Sequence, residues 1–311
     1  QFASTLSGVA PLITEDSFSA VAPDLDIWDA WPVQHPDGHP ADLGDGTHLW
    51  MALGAPRFDD PDQRHGHARI HLLQQHQGGW THLGPAMPDG FSPGSREWSG
   101  SAVLDAATGV VTLYFTATGR RDEAEPTFEQ RLFRARATLA EDAVPRLTHW
   151  RDLAEVALRD PAHYMASDEG TGTIGTIKAY RDPAYFLDPK DGTSHLLFAA
   201  SAAHSASPYN GVVGIAAARD AALDSWETLP PLVTAVGLNN ELERPHVICH
   251  GGLYYLFWST QQHVFDQAGP CGPTGLYGMV ANALHGTWTP LNGTGLVFSN
   301  PDSAPAQAYS W

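Results

Sequence analysis

Four short runs of aromatic and β-branched residues, each set off by a turn signal, constrain this chain more than any other feature. They occupy residues 47–53 (THLWMAL), 110–118 (VVTLYFTAT), 195–201 (HLLFAAS) and 253–260 (LYYLFWST). Gly46, Thr108-Gly109, Asp191-Gly192 and Gly251-Gly252 precede them, and a run bounded in this way reads as a strand. The last three share one order: a turn, then Leu or Tyr, then Phe, then small or hydroxyl residues. Their starts fall at unequal intervals of some 60 to 80 residues, the loose repeat that propeller blades with variable loops give. Further strands are predicted at 68–74, 131–137, 211–218 and 276–280. Helical periodicity is weak, and 128–141 and 220–226 are the short segments that fit it best. No Gly/Ser linker or charge block marks a boundary. The expectation is a single all-β domain over 1–311, built from repeated antiparallel sheets, with 1–23 as an N-terminal extension.

Composition narrows the functions. The chain has 35 Asp and Glu against 17 Lys and Arg, a formal net charge of −18. A field of that sign repels phosphate backbones, so nucleic acid and anionic membranes are excluded as partners and a neutral substrate is favoured. Ten Trp and 42% hydrophobic residues argue against disorder, and no apolar run approaches the length of a membrane-spanning helix. Cys249 and Cys271 are the two cysteines. Without CxxC or finger spacing they leave two outcomes, one disulfide or two free thiols. The chain opens at Gln1, with no basic segment followed by an apolar one. That start fits a mature secreted protein, extracellular or periplasmic.

The common motifs of phosphate, dinucleotide, serine-hydrolase and zinc-protease chemistry are missing from the sequence. In the histidine cluster Arg64-His65-Gly66-His67, histidines two apart on a strand fit hydrogen bonding to a ligand or loop better than a metal. Three acidic settings stand out. Asp29, in Trp28-Asp29-Ala30-Trp31-Pro32, places a carboxylate between two indoles, a partly desolvated site beside the kind of aromatic wall that holds sugar rings. Asp182 follows Arg181, whose charge favours its ionised form, and precedes Pro183, which forces an extended backbone there. Glu241 and Glu243, in Glu241-Leu242-Glu243-Arg244-Pro245-His246, fall on one face of a strand about 7 Å apart. Like charge there raises one carboxyl, as a general acid requires. Together these point to carboxylate-pair chemistry on a glycoside.

Four motifs in this order give a specific resemblance. Trp28-Asp29-Ala30-Trp31-Pro32, Glu97-Trp98-Ser99-Gly100-Ser101-Ala102, Arg181-Asp182-Pro183 and the Glu241–Arg244 segment resemble glycoside hydrolase family 68. That family contains levansucrases, inulosucrases and related β-fructofuranosidases. Arg64-His65-Gly66-His67-Ala68-Arg69-Ile70 and Pro290-Leu291-Asn292-Gly293-Thr294-Gly295-Leu296-Val297 extend the likeness toward its Gram-negative-type branch. The resemblance implies a five-bladed β-propeller with an axial, funnel-shaped site, acting on sucrose and sugar acceptors without a cofactor. Asp29 resembles the nucleophile, Glu243 the acid/base and Asp182 the transition-state stabiliser. Trp28, Trp98 and Ser99 match the lining of the fructose subsite. Arg181, Glu241, Arg244 and Tyr309 match further substrate contacts.

Departures from the family sharpen the expectations. Ala199 stands where many relatives place Glu. Relatives with a calcium site carry Asp where this chain has Asn240, so no metal is expected, and a Cys249–Cys271 bond is a candidate local substitute. The segment Ser259-Thr260-Gln261-Gln262 lacks the His or Arg of polymer-forming relatives near the acceptor. Hydrolysis and short transfer products are therefore expected, with Gln261 at the acceptor. The alternatives are a long-chain levan- or inulin-forming enzyme, a non-catalytic sucrose- or fructan-binding propeller, and an arabinan- or xylan-cleaving propeller. The chain stops at Trp311, before the strands that complete the last blade in relatives. A second polypeptide or a partner chain is expected to complete that blade.

Overall fold

When sheets stack face to face, their strands bury both faces and read as nearly continuous apolar runs. This chain builds four such sheets among the residues described by the computed structural model, 8–140, 144–169 and 177–307. The first holds β1 (Leu25–Gln34), β2 (His48–Pro56), β3 (Arg69–His76) and β4 (Gly79–Pro85). The second holds β5 (Arg96–Asp105), β6 (Val110–Thr118), β7 (Gln130–Ala140) and β8 (Arg146–Glu155). The third holds β9 (Tyr180–Leu187), β10 (Ser194–Ser201), β11 (Gly211–Ala218) and β12 (Trp226–Thr234). The fourth holds β13 (Glu243–His250), β14 (Leu253–Thr260), β15 (Gly275–Ala281) and β16 (Thr289–Pro290), with β17 (Leu296–Ser299) also on β15. Each is an antiparallel meander. A short parallel register, Val33 with Ala102 and Gln34 with Val103, joins the first two.

The first strands β1, β5, β9 and β13 lie innermost and follow one another in contact. Cores fill the gaps between sheets. Leu113 and Phe115 of β6 face the first sheet's Met51 and Ile70, while Tyr114 between them faces Phe198 and Tyr180 of the third. Likewise Leu196 and Phe198 of β10 face backward, and Leu197 faces forward to Leu256 and Val247. The four apolar runs are thus the second strands, β2, β6, β10 and β14.

Each innermost strand carries one residue more than its partner at corresponding places. The register jumps from Trp28–Leu53 to Trp31–Met51, from Trp98–Thr116 to Gly100–Phe115, from Arg181–Ala199 to Ala184–Leu197, and from Glu243–Ser259 to His246–Phe257. These are β-bulges, which bend a strand and re-aim a side chain. Asp29, Asp182 and Arg244 sit in them with φ of 51°, 63° and 50°, a left-handed backbone that Asp tolerates better than most residues. Asp182 is thus not extended ahead of Pro183, because the bulge sets its backbone. In β5, Gly100 serves instead: a Cβ there would lie 1.9 Å from the Tyr114 carbonyl oxygen.

Several expectations are corrected. Of the expected helix 128–141, the described residues 128–140 are not helical; Gln130–Ala140 is β7, paired on both sides, so sheet packing overrides the helix-favouring Leu, Ala and Arg content. Residues 220–225 form a turn in which Asp220 accepts from the Asp224 and Ser225 amides, and Trp226 begins β12. His65 lies in a 3-10 turn (Pro61–Gly66) instead of a strand. The two cysteines are free. Cys249 pairs with Tyr254 near one end of β14, whereas Cys271 lies in the loop joining the other end to β15. About 20 Å of strand separates those ends, far beyond disulfide reach. The N-terminal segment also packs on the last sheet. Val9 bridges Ser299 in parallel and the Ala10 amide donates to the Ser299 carbonyl (2.7 Å), so the same chain covers part of the β17 edge.

Candidate active site

The bulges turn their residues toward a common cavity of about 550 Å³ at the ends of the innermost strands. Of the residues singled out in the sequence, Trp28, Asp29, Trp98, Ser99, Arg181, Asp182, Glu241, Glu243, Arg244 and Gln261 all line it. Tyr309 lies outside the described residues. The bulge also separates the two indoles that flank Asp29 in sequence. Trp31 turns into the core, and the second indole of the wall is Trp98, whose Nε1 donates to the His65 carbonyl at 3.2 Å. Arg64 stacks over Trp28 at 4.9 Å, and His65 meets the same ring edge-on.

On one side of the cavity, Ser99 Oγ donates to Asp29 Oδ2 at 2.8 Å. Thr116 Oγ1 donates to the Ser99 carbonyl (3.1 Å) and accepts from the Asp182 amide (2.9 Å), which locks the second sheet to the third. Arg244 ties the fourth sheet to the first. Its Nη2 donates to the Ala30 carbonyl at 2.7 Å, and its Nη1 stands 3.7 Å from Asp29 Oδ1. Its amide donates to Asp182 Oδ2 at 3.2 Å.

On the other side, three carboxylates gather on Arg181. Its Nη2 reaches Glu243 Oε1 at 3.0 Å and Glu241 Oε2 at 3.4 Å, and its Nε lies 3.6 Å from Asp182 Oδ2. Glu241 and Glu243 therefore do converge, although Glu243 begins β13 and Glu241 lies just before it. Burial works against the Arg181 charge, but Glu241, Asp182 and Glu243 together hold its pKa above the usual guanidinium value. Burial, followed by the charge of Glu241, raises the Glu243 carboxyl, with Arg181 opposing. Asp182 is pushed up to about 6 by burial against the pull of Arg181. The arginine beside it does not hold Asp182 in the ordinary carboxylate range, because the site is dry and Asp29 adds a like charge. Arg181 Nη1 is buried with no hydrogen-bond partner among the described residues.

His65, from the histidine cluster read as bonding a ligand or loop, also lines the cavity. Lining residues that escaped the sequence reading include Asp62 of the same 3-10 turn, Phe128 just before β7, and His263, which follows Gln261 in the short turn Gln262–Val264. His263 matters most, since the cavity wall does carry an imidazole that the reading of residues 259–262 stopped one residue short of. The cluster around His65 packs aromatic rings: burial lowers the His65 pKa, and His67 stacks on Phe58 at 4.8 Å.

The chain matches the levansucrase/invertase family, glycoside hydrolase family 68, over residues 5–207 and 203–311. A levansucrase of Rahnella aquatilis is 32% identical, over 96% of this chain and 78% of its own length. An extracellular sucrase of Zymomonas mobilis is 30% identical, over 94% of this chain and 75% of its own. Among solved structures, an inulosucrase from Halalkalicoccus jeotgali bound to kestose superposes with a TM-score of 0.91. It is 37% identical, over 99% of this chain and 77% of that one. With the β-propeller built from its stacked sheets, the chain belongs to glycoside hydrolase family 68 and is a sucrose-acting enzyme of the fructosyltransferase and glycoside hydrolase type.

Proposed function

We propose that the enzyme cleaves sucrose by a retaining double displacement through a fructosyl ester on Asp29. The observation that carries this reading is the unequal treatment of the carboxylates. Both line the cavity, but Asp29 is held by a hydroxyl, whereas Glu243 stands beside Glu241 on a shared guanidinium and keeps its proton to higher pH than an ordinary carboxyl. Two carboxyl groups set apart in this way take the roles of nucleophile and acid. An Asp29 oxygen attacks the anomeric carbon of the fructosyl unit as the bond to the glucose oxygen breaks, and Glu243 gives that oxygen its proton. In the second step Glu243 takes the proton of water or of a sugar hydroxyl. The acceptor oxygen bonds to the anomeric carbon and Asp29 is released. Asp182, ionised above about pH 6, accepts fructosyl hydroxyls while positive charge builds on the ring. Trp28 and Trp98 provide apolar faces for the sugar, and Arg181 lines the cavity beside it.

The reading extends to the acceptor. Gln261 and His263 share one wall of the cavity, so an imidazole as well as an amide faces an incoming sugar. The expectation of mainly short products, argued from the lack of such a group, loses its ground, and transfer to sugars competes with hydrolysis. Five blades, of which the described residues form four, belong to the same reading. So does secretion, which the name of the Zymomonas mobilis relative supports. A second polypeptide is not part of it: the edge that motivated one is partly covered by residues 8–10.

Incubation of the purified protein with sucrose tests this function. Glucose is expected in excess over free fructose, the deficit appearing in transfer products. Saturable sucrose binding with no glucose released would leave only a binding propeller.

A further inference from the structure

Beyond the cavity, one buried charge is bonded more fully than the chemistry above requires. Lys178 lies three residues before Arg181, just ahead of β9, and is only 7% exposed. Its Nζ donates to the Pro208 carbonyl (2.6 Å), Asn210 Oδ1 (2.7 Å) and Asn240 Oδ1 (2.9 Å). All three ammonium hydrogens are used. Pro208 and Asn210 lead into β11 of the third sheet, while Asn240 immediately precedes Glu241 in the fourth. One ammonium thus ties the two sheets that supply Arg181, Glu241 and Glu243.

The amides around it are closed in turn. Asn210 Nδ2 donates to the Ala202 carbonyl at 2.8 Å. Asn240, fully buried, donates from Nδ2 to the Ile177 carbonyl at 2.8 Å and reaches Glu241 Oε1 at 3.5 Å. The Glu241 amide donates to Asn239 Oδ1 at 2.7 Å. With its oxygen bound by the ammonium, Asn240 presents its NH₂ to Glu241 and no other way round. Glu241 is then held from behind by Asn240 and from the front by Arg181 Nη2, the nitrogen that also bonds Glu243.

A neutral donor would tie these loops without stripping a cation of water, which is costly in a buried site. Burial lowers the Lys178 pKa and the charge of Glu241 works against that, so ammonium and carboxylate are energetically linked across Asn240. We infer that Lys178 is a positioning residue for the acid/base carboxylate, acting through Asn240, Glu241 and the Arg181 nitrogen that Glu241 shares with Glu243. The inference rests on the assignment of Glu243 as the acid.

The test is Lys178→Met, assayed on sucrose across pH beside a thermal unfolding curve. Loosening the acid by a fraction of an ångström is expected to lower kcat about 10- to 100-fold. KM should stay within about threefold, and the alkaline limb of the pH profile should be displaced. Ethylammonium should restore several-fold of the activity lost in Lys178→Ala, and sodium at equal concentration should not. A lower melting temperature with kcat and the alkaline limb unchanged would reduce Lys178 to a clamp and overturn the inference. Should Lys178→Met not fold, Asn210→Ala removes one acceptor and leaves Asn240 in place. A smaller kcat loss with the same displaced limb supports the inference, and wild-type values of both overturn it. Glu243→Gln run in parallel separates the two levels. If it is inactive while Lys178→Met behaves as wild type, only the role of Lys178 fails. If it is active, the acid assignment fails first.

Discussion

The two sides of the cavity hold their carboxylates by opposite means. On the side of the first and second sheets, Asp29 has a 19% exposed side chain, one bond from Ser99 and a long contact to Arg244, beside the neutral rings of Trp28 and Trp98. On the side of the third and fourth, the side chains of Asp182 and Glu241 are 7% and 8% exposed and share Arg181 with Glu243. Three carboxyl groups around one guanidinium repel one another, and desolvation with the charge of Glu241 raises Glu243, whose side chain is 16% exposed, while desolvation raises Asp182. On the proposed mechanism, the difference sets a nucleophile and an acid on one cavity. Asp29 is met by a hydroxyl, aromatic rings and one guanidinium, and Glu243 by two further carboxylates around a shared guanidinium.

The sharpest way to break this comparison is to neutralise each side. Asp29→Asn is expected to lose about 10⁴-fold or more in kcat, since an amide forms no ester, while sucrose binding measured by calorimetry persists. Near-normal glucose release from that variant would remove the Asp29 carboxylate from the mechanism. Glu243→Gln should cost about 10²- to 10⁴-fold, the usual worth of general acid help. If Glu241→Gln proves the more damaging, the two glutamates exchange roles. Ser99→Ala, which removes one hydrogen bond to a charged group, should cost about 10- to 100-fold with the pH profile unchanged.

The pH dependence sharpens the contrast further. Activity should follow a bell, with an acid limb near pH 6 as Asp182 ionises and an alkaline limb as Glu243 loses its proton. Stability follows the same groups. Glu243 and Asp182 hold protons more tightly in the folded than in the unfolded chain. Their contribution is therefore full below the ordinary carboxylate range and is lost as pH rises through the folded values. Glu243→Gln, which cannot ionise, should be more stable than the parent near pH 8 by about 1 kcal/mol and show no gain near pH 4. Denaturant unfolding at the two pH values reads this directly. The smallest effect expected is on acceptors. His263→Ala should lower the ratio of transfer to hydrolysis a few-fold and leave sucrose consumption nearly unchanged. An unchanged product distribution would take His263 out of the acceptor site.

The same contrast explains what the sequence could disclose. Among the second strands, Val110–Thr118 and Leu253–Thr260 are legible to the residue, and His48–Pro56 and Ser194–Ser201 to within a few residues, because packing demands unbroken apolar runs. The innermost strands are not, because each spends its regular alternation on a bulge, and a left-handed Asp29 or Asp182 leaves no periodic trace. Trp31 was misread for that reason: one extra residue sends it to the core and leaves Trp98 at the wall. β7 was read as helical as well as strand, since Leu, Ala and Arg favour helices until neighbours on both sides capture them. The motifs, with the segment 259–262, did bring together ten of the residues that line the cavity. His263 and Lys178 were missed, because an isolated histidine in a loop and a lone lysine before a strand carry no pattern of their own.

The ester on Asp29 is the central claim, and trapping it is the most direct test. The enzyme is mixed with sucrose for a few turnovers, quenched in acid, digested and mapped by mass spectrometry. The account predicts one fructosyl group attached to the peptide that contains Trp28-Asp29-Ala30-Trp31, absent without sucrose and absent in Asp29→Asn. A fructosyl group on the peptide of Asp182 or Glu243 instead, or attachment that survives in Asp29→Asn, would contradict it.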